Sequence, residues 1–194
     1  MIAPPGVAAQ GRYDREERAL IVRGADGRWL VDLPPGMEDA IDRYDPDFEP
    51  WTEDDYAGGS LGSYEFTPRQ LPWVVVGDFN GDGRRDAAIA GRTDRDVVVL
   101  LLLSGARGRF RAVVLEREPY EPDDPSTIRL PVLSYLFPGR YVVDDPRLGY
   151  PRELVVTAPA VELSGGWRPG AAIYVVSGGR VVPYYLTSPV AAPR

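Results

Sequence analysis

The chain predicts a mainly β fold, an antiparallel sandwich or a strongly curled sheet, with one short helix. Three observations carry this. Apolar runs of strand length recur from end to end. The 20 prolines and 21 glycines of the 194 residues lie between those runs rather than in a tail, as turn punctuation does. A single stretch, 36–44, has apolar residues at helical spacing. With 44% hydrophobic residues the chain can fill one core. The expected layout is a flexible N-terminal lead over 1–17 and a single β-rich domain over 18–194.

Residues 19–23 and 28–33 flank Gly24-Ala25-Asp26-Gly27, and Asp-Gly between apolar runs predicts a β-hairpin. Pro34-Pro35 then opens a helix whose Met37, Ala40, Ile41 and Tyr44 share one face, and which Asp45-Pro46 ends. The acidic stretch 38–55 contains Phe48 and Trp51, with Tyr56 just beyond. It reads as a solvated segment pinned by its aromatics, in preference to a cation or partner site. A flexible connection at 58–62 leads through 63–66 and 73–78 into the loop described below. Residues 97–103 are seven consecutive aliphatics, which predicts a strand covered on both faces. The turn at 104–108 and the run 110–117 complete another hairpin, and 118–126 is an acidic, Pro-rich surface loop. Apolar runs follow at 128–136, 140–143 and 154–161, and the chain closes with 171–176, the turn 177–180 and 181–186. Pro183 places that last run at a sheet edge or a bulge. Eight to ten strands are expected.

The most informative segment is Gly77-Asp78-Phe79-Asn80-Gly81-Asp82-Gly83-Arg84-Arg85-Asp86, within a hairpin over 74–90. Ca²⁺ takes six to eight oxygens at about 2.3–2.6 Å from a backbone that curls tightly around it. Asp78, Asn80 and Asp82 stand at the first, third and fifth positions. Gly83 supplies the sharp turn, the Arg84 carbonyl the seventh position, and Asp86 the ninth. This hard oxygen set suits Ca²⁺ better than Mg²⁺, which holds its waters in a rigid octahedron. Asp, Asn and Gly also build ordinary metal-free turns, so that reading stands beside the first. The flanks are strand-like, and Ile89 stands where an EF-hand has its bidentate Glu.

Strand, D-x-[DN]-x-D-G-x-x-D loop, strand resembles the FG-GAP or VCBS calcium-binding loop of integrin-like propellers and secreted bacterial proteins. The resemblance covers about 76–89. It implies metal ligands at Asp78, Asn80, Asp82 and Asp86, with Arg84 as carbonyl donor. No second copy follows, and 194 residues do not supply a propeller. The chain therefore looks like a small secreted bacterial protein with one such motif.

The absence of Cys and His removes thiolate nucleophiles, disulfides, imidazole bases and the usual zinc ligands. All 22 basic residues are Arg, and 29 acidic ones give a net charge of −7, which argues against nucleic acid as a partner while leaving a local Arg cluster free to bind. No apolar run approaches the ~20 residues of a membrane-spanning helix, so no membrane insertion is expected. Residues 1–10 lack the basic start and apolar core of a signal peptide. The expected location is extracytoplasmic, secreted or periplasmic, where weak calcium sites fill, with the export signal not among these residues. The expected function is a non-catalytic, calcium-stabilised binding or assembly domain for a protein or glycan. Trp167, Tyr174, Tyr184 and Tyr185 are candidates for a binding face. The alternative is a carboxylate-dependent, glycosidase-like hydrolase with a structural calcium ion, although no sequence feature selects its acid pair.

Overall fold

The computed structural model describes residues 20–57, 64–120, 128–145, 150–166 and 170–186. Strands β1 (Leu20–Arg23) and β2 (Trp29–Asp32) form the opening hairpin, closed by Gly24 N–H on the Arg28 carbonyl with Gly27 at φ 83°. Helix α1 (Pro35–Tyr44) follows, with proline in its first turn and Met37, Ala40 and Ile41 buried. Tertiary burial of that stripe stabilises a ten-residue helix that would be marginal alone.

Six strands make the larger antiparallel sheet: β3 (Glu49–Pro50), β4 (Gln70–Leu71), β5 (Val74–Gly77), β6 (Asp86–Arg92), β7 (Asp96–Ser104) and β8 (Phe110–Pro119). Their order is β4-β5-β6-β7-β8, and β3 pairs with β6. The aliphatic run lies in β7, where residues 97–104 are all buried. A four-stranded sheet has the order β14-β13-β12-β9, from β9 (Pro131–Leu136), β12 (Ala160–Gly165), β13 (Ala171–Ser177) and β14 (Arg180–Leu186). Strands β10 (Gly139–Asp145) and β11 (Tyr150–Val156) pair as a separate hairpin. The fold is thus mainly β, in antiparallel layers, with one α-helix among the described residues.

Side-chain alternation along β13 explains the layering. Ala172 and Tyr174 join the large core, which also takes Val161 and Leu163 of β12, the aliphatics of β7 and the buried face of α1. Ala171, Ile173 and Val175 point the other way, into a second core with Tyr141, Val143, Leu154 and Val156 of the β10–β11 hairpin. The four-stranded sheet is therefore covered on both faces. Strand β8 ties to it through a bulge: Val99 faces Glu116 while Leu100 faces Val114. Buried Glu116 accepts a hydrogen bond from the Tyr174 hydroxyl.

Several sequence expectations change here. Fourteen strands stand among the described residues, because two- and four-residue strands escape periodicity. Residues 154–161 are two strands, broken at Thr157-Ala158-Pro159, where proline cannot donate to a ladder. Residues 64–66 have no regular structure. Tyr174 is buried rather than exposed. Tyr185 packs against the large core and Tyr184 against the second, so the adjacent pair does not leave one ring for a ligand. Trp167, the 1–17 lead, the 58–62 connection and most of the 118–126 loop lie outside the described residues. The aromatic pins of the acidic stretch hold: Phe48, Trp51 and Tyr56 are all buried. Pro183 sits in the edge strand β14.

Gly91 in β6 marks the closest approach in this architecture. A Cβ there would lie 2.4 Å from the Glu49 carbonyl oxygen and 2.5 Å from the Phe48 ring. Gly91→Ala should lower stability by about 2–4 kcal/mol, because the obstacle is backbone and cannot turn aside. A reduced denaturation midpoint with an unchanged slope would register it; an unaltered midpoint would contradict the β3–β6 pairing.

Candidate metal centre

Strands β5 and β6 present the loop at their shared end, where Gly77 pairs with Asp86. The backbone between them curls through Gly81 at φ 76° and Gly83 at φ 81°, a region that a residue with a Cβ enters at a cost. Side-chain oxygens then hold the curl on its own amides. Asp78 Oδ1 and Asn80 Oδ1 both accept the Asp82 N–H, each at 3.0 Å. Asp78 Oδ2 accepts the Gly83 N–H at 2.8 Å, and Asp82 Oδ1 the Arg84 N–H at 2.9 Å. Two acceptor oxygens thus converge on one amide.

Asp86 takes a different place from the other three. It is fully buried, and its carboxylate accepts three backbone N–H groups: Phe79 at 2.8 Å, Asn80 at 3.1 Å and Ser104 at 2.7 Å. A carboxylate has about four acceptor positions, so this one keeps a single lone pair for anything else. Burial pushes its pKa up to about 6, against the opposing pull of the hydrogen bonds from Ser104, Asn80 and Phe79.

The loop is also stitched to the turn after β7. Asn80 Nδ2 donates to the Ser104 carbonyl at 3.0 Å, and the Ser104 hydroxyl donates to Asp82 Oδ2 at 2.8 Å. The Arg84 guanidinium reaches the Gly105 carbonyl at 2.5 Å. Phe79 turns inward, 1% exposed, against the Tyr135 ring at 6.2 Å between centroids. Sequence reasoning assigned neither Ser104 nor Phe79 to the site. An apolar residue within a run of Asp, Asn and Gly was the available signal for Phe79; Ser104 meets the loop only through the β6–β7 pairing.

Comparison with protein-family models, with curated proteins and with solved structures finds no match.

The donor chemistry fits a hard cation: Asp78, Asn80 and Asp82 offer oxygens, each retaining acceptor capacity beyond the N–H or O–H it already takes. Among the described residues, no three acidic side chains stand close enough together to hold an ion in the present arrangement. An ion would therefore draw on Asp78, Asp82, the Asn80 amide oxygen and a loop carbonyl such as that of Arg84, with Asp86 serving as the internal clasp or giving its last lone pair.

A cleft of about 330 Å³ between the opening hairpin and residues 50–54 brings Glu53 and Asp54 together among Trp29, Trp51 and Trp73. Both carboxylates are engaged: Glu53 accepts the Trp29 N–H at 3.0 Å, and Asp54 takes the Arg28 guanidinium through two bonds at 2.9 and 3.0 Å. A general acid–base pair needs a carboxyl free to exchange a proton with substrate, and these two are occupied in holding the hairpin to the wall.

Proposed function

We propose that the protein is a non-catalytic binding or assembly domain, held in shape by one Ca²⁺ in the 77–86 loop and working outside the cytosol. The observation that carries the reading is the shared Asp82 amide, on which Asp78 Oδ1 and Asn80 Oδ1 converge in a turn with two left-handed glycines. Supporting it are the strand–loop–strand setting and a donor set made only of oxygens. Calcium would act electrostatically, offsetting the mutual repulsion of Asp78 and Asp82 in a loop only a few ångströms across. Extracytoplasmic calcium is abundant enough to fill a site of modest affinity. The Asx turns also close the loop without an ion, which favours a second reading, a metal-free clasp.

Calcium titration of chelator-stripped protein separates the two. Calcium at 100 times its dissociation constant should add about 2.7 kcal/mol, a rise in melting temperature of roughly 5–10 °C for a chain of this size. Asp82→Ala should abolish that rise. A melting curve indifferent to both calcium and chelator would leave the clasp reading in place.

A further inference from the structure

Strand β8 ends the six-stranded sheet: it pairs with β7 along one side, and no other described segment pairs with it. The other edges of the two larger sheets are short or blunted. Strands β3 and β4 have two residues each, and β14 carries Pro183. Strand β9 is capped by residues 70–72, its Leu133 N–H donating to the Pro72 carbonyl and its Tyr135 N–H to Gln70 Oε1. By contrast β8 runs for ten residues, has proline only at its last position, and leaves Val114 near its middle 41% exposed. We infer that β8 pairs antiparallel with β8 of a second copy of this chain, joining two six-stranded sheets across a two-fold axis.

The turn before β8 fixes which of its backbone groups point outward. The Gly105 N–H bonds the Arg109 carbonyl at 2.8 Å, so by antiparallel alternation Arg111 and Val113 direct their N–H and C=O groups at β7, while Phe110, Ala112 and Val114 direct theirs away. The outward Phe110 carbonyl accepts the Arg43 guanidinium at 3.2 Å. Ala112 and Val114 present their groups to a partner strand.

The bulge makes the strand complementary to itself. Val99 faces Glu116 and Leu100 faces Val114, so Leu115 is an extra residue and the alternation of faces slips by one there. Arg111 and Glu116, an odd number of residues apart, therefore reach the same face: Arg111 donates to the Gly179 carbonyl of the β13–β14 turn at 2.7 Å, and Glu116 accepts the Tyr174 hydroxyl of β13. Glu118, two residues beyond Glu116, lies on that face as well. An antiparallel pair centred between Val114 and Leu115 sets Arg111 of each copy opposite Glu118 of the other. Among the described residues Arg111 has no carboxylate partner and Glu118 no cationic one, so each meets its counterion across the axis. Charges on a free edge ordinarily oppose pairing. Here they select the register, because centring the pair on Val114 instead would set Arg111 against Arg117 of the other copy. The inference rests on the assembly half of the proposed function, names its partner, and does not require the ion.

Sedimentation equilibrium of the full chain, in calcium and in EDTA, tests it. The expected result is a reversible monomer–dimer equilibrium. Val114→Pro removes one outward N–H and leaves the ladder with β7 intact, so it should weaken dimerisation about tenfold or more while the far-UV circular dichroism stays unchanged. Arg111→Glu and Glu118→Arg should each weaken it severalfold, and the two together should restore it, a rescue that lost folding cannot imitate. A monomer at millimolar concentration would overturn the inference, as would a dimer undiminished by Val114→Pro or a double reversal no better than the single ones. A monomer whose melting temperature still rises with calcium would overturn this inference and leave the metal reading standing.

Discussion

Replacing Asp86 with alanine should destabilise the protein by about 3–5 kcal/mol, whether or not calcium is present. The carboxylate is sealed in the fold, and its loss leaves the N–H groups of Phe79, Asn80 and Ser104 facing an empty space. Each orphaned donor costs about 1–3 kcal/mol, partly offset because an ionised carboxylate is itself expensive to bury. Asp86→Asn should cost less, about 2 kcal/mol, since its amide oxygen serves some of the three donors while its NH₂ opposes another. Acid gives the same group a second signature. Its folded pKa, raised to about 6, exceeds the ordinary 3.8, so between those values the folded protein binds a proton that the unfolded chain does not. Its stability relative to Asp86→Asn should therefore rise as pH falls from 7 to 4, by up to about 3 kcal/mol, and level off below 4. Urea denaturation of both proteins across that range reads the effect; a difference that is constant with pH would show Asp86 to be solvated.

Phe79→Ala should by itself cost about 3–5 kcal/mol, measured as a drop in denaturation midpoint at constant slope. The ring is 1% exposed, packs on Tyr135, and belongs to the large core although it issues from the loop. Backbone bonds at Gly77 and the clasp at Asp86 hold the segment on either side, so the surroundings cannot collapse onto the space left behind. The two substitutions should not add when combined, because the Phe79 amide is one of the Asp86 partners. A loss below 1 kcal/mol would mean that the loop is hinged away from the core in solution.

Much of the fold was legible because local chemistry and tertiary demand agree. Helix α1 is one residue longer than its apolar stripe indicated, and the hairpin at Gly24–Gly27 and the buried strand at 97–103 lie within one or two residues of expectation. The misreadings share a physical origin. Tyr184 and Tyr185 alternate correctly, but the sequence does not record that two layers flank their sheet. At the loop, spacing picked out Asp78, Asn80, Asp82 and Asp86 but not Ser104, which bonds Asn80 and Asp82. Spacing also gave Asp86 the same role as Asp78 and Asp82, because burial beneath β7 depends on a pairing eighteen residues away, between Asp86 Oδ1 and the Ser104 amide.

The sheet clothed on both sides has a dynamic corollary. The β10–β11 ribbon shares the second core with the four-stranded sheet and contributes no residue to the large core, so its lifting should open that second core while the interior around β7 stays dry. Amide deuteration would then resolve two opening events, a shallow one confined to residues 139–145 and 150–156 and a deep one that reports global unfolding.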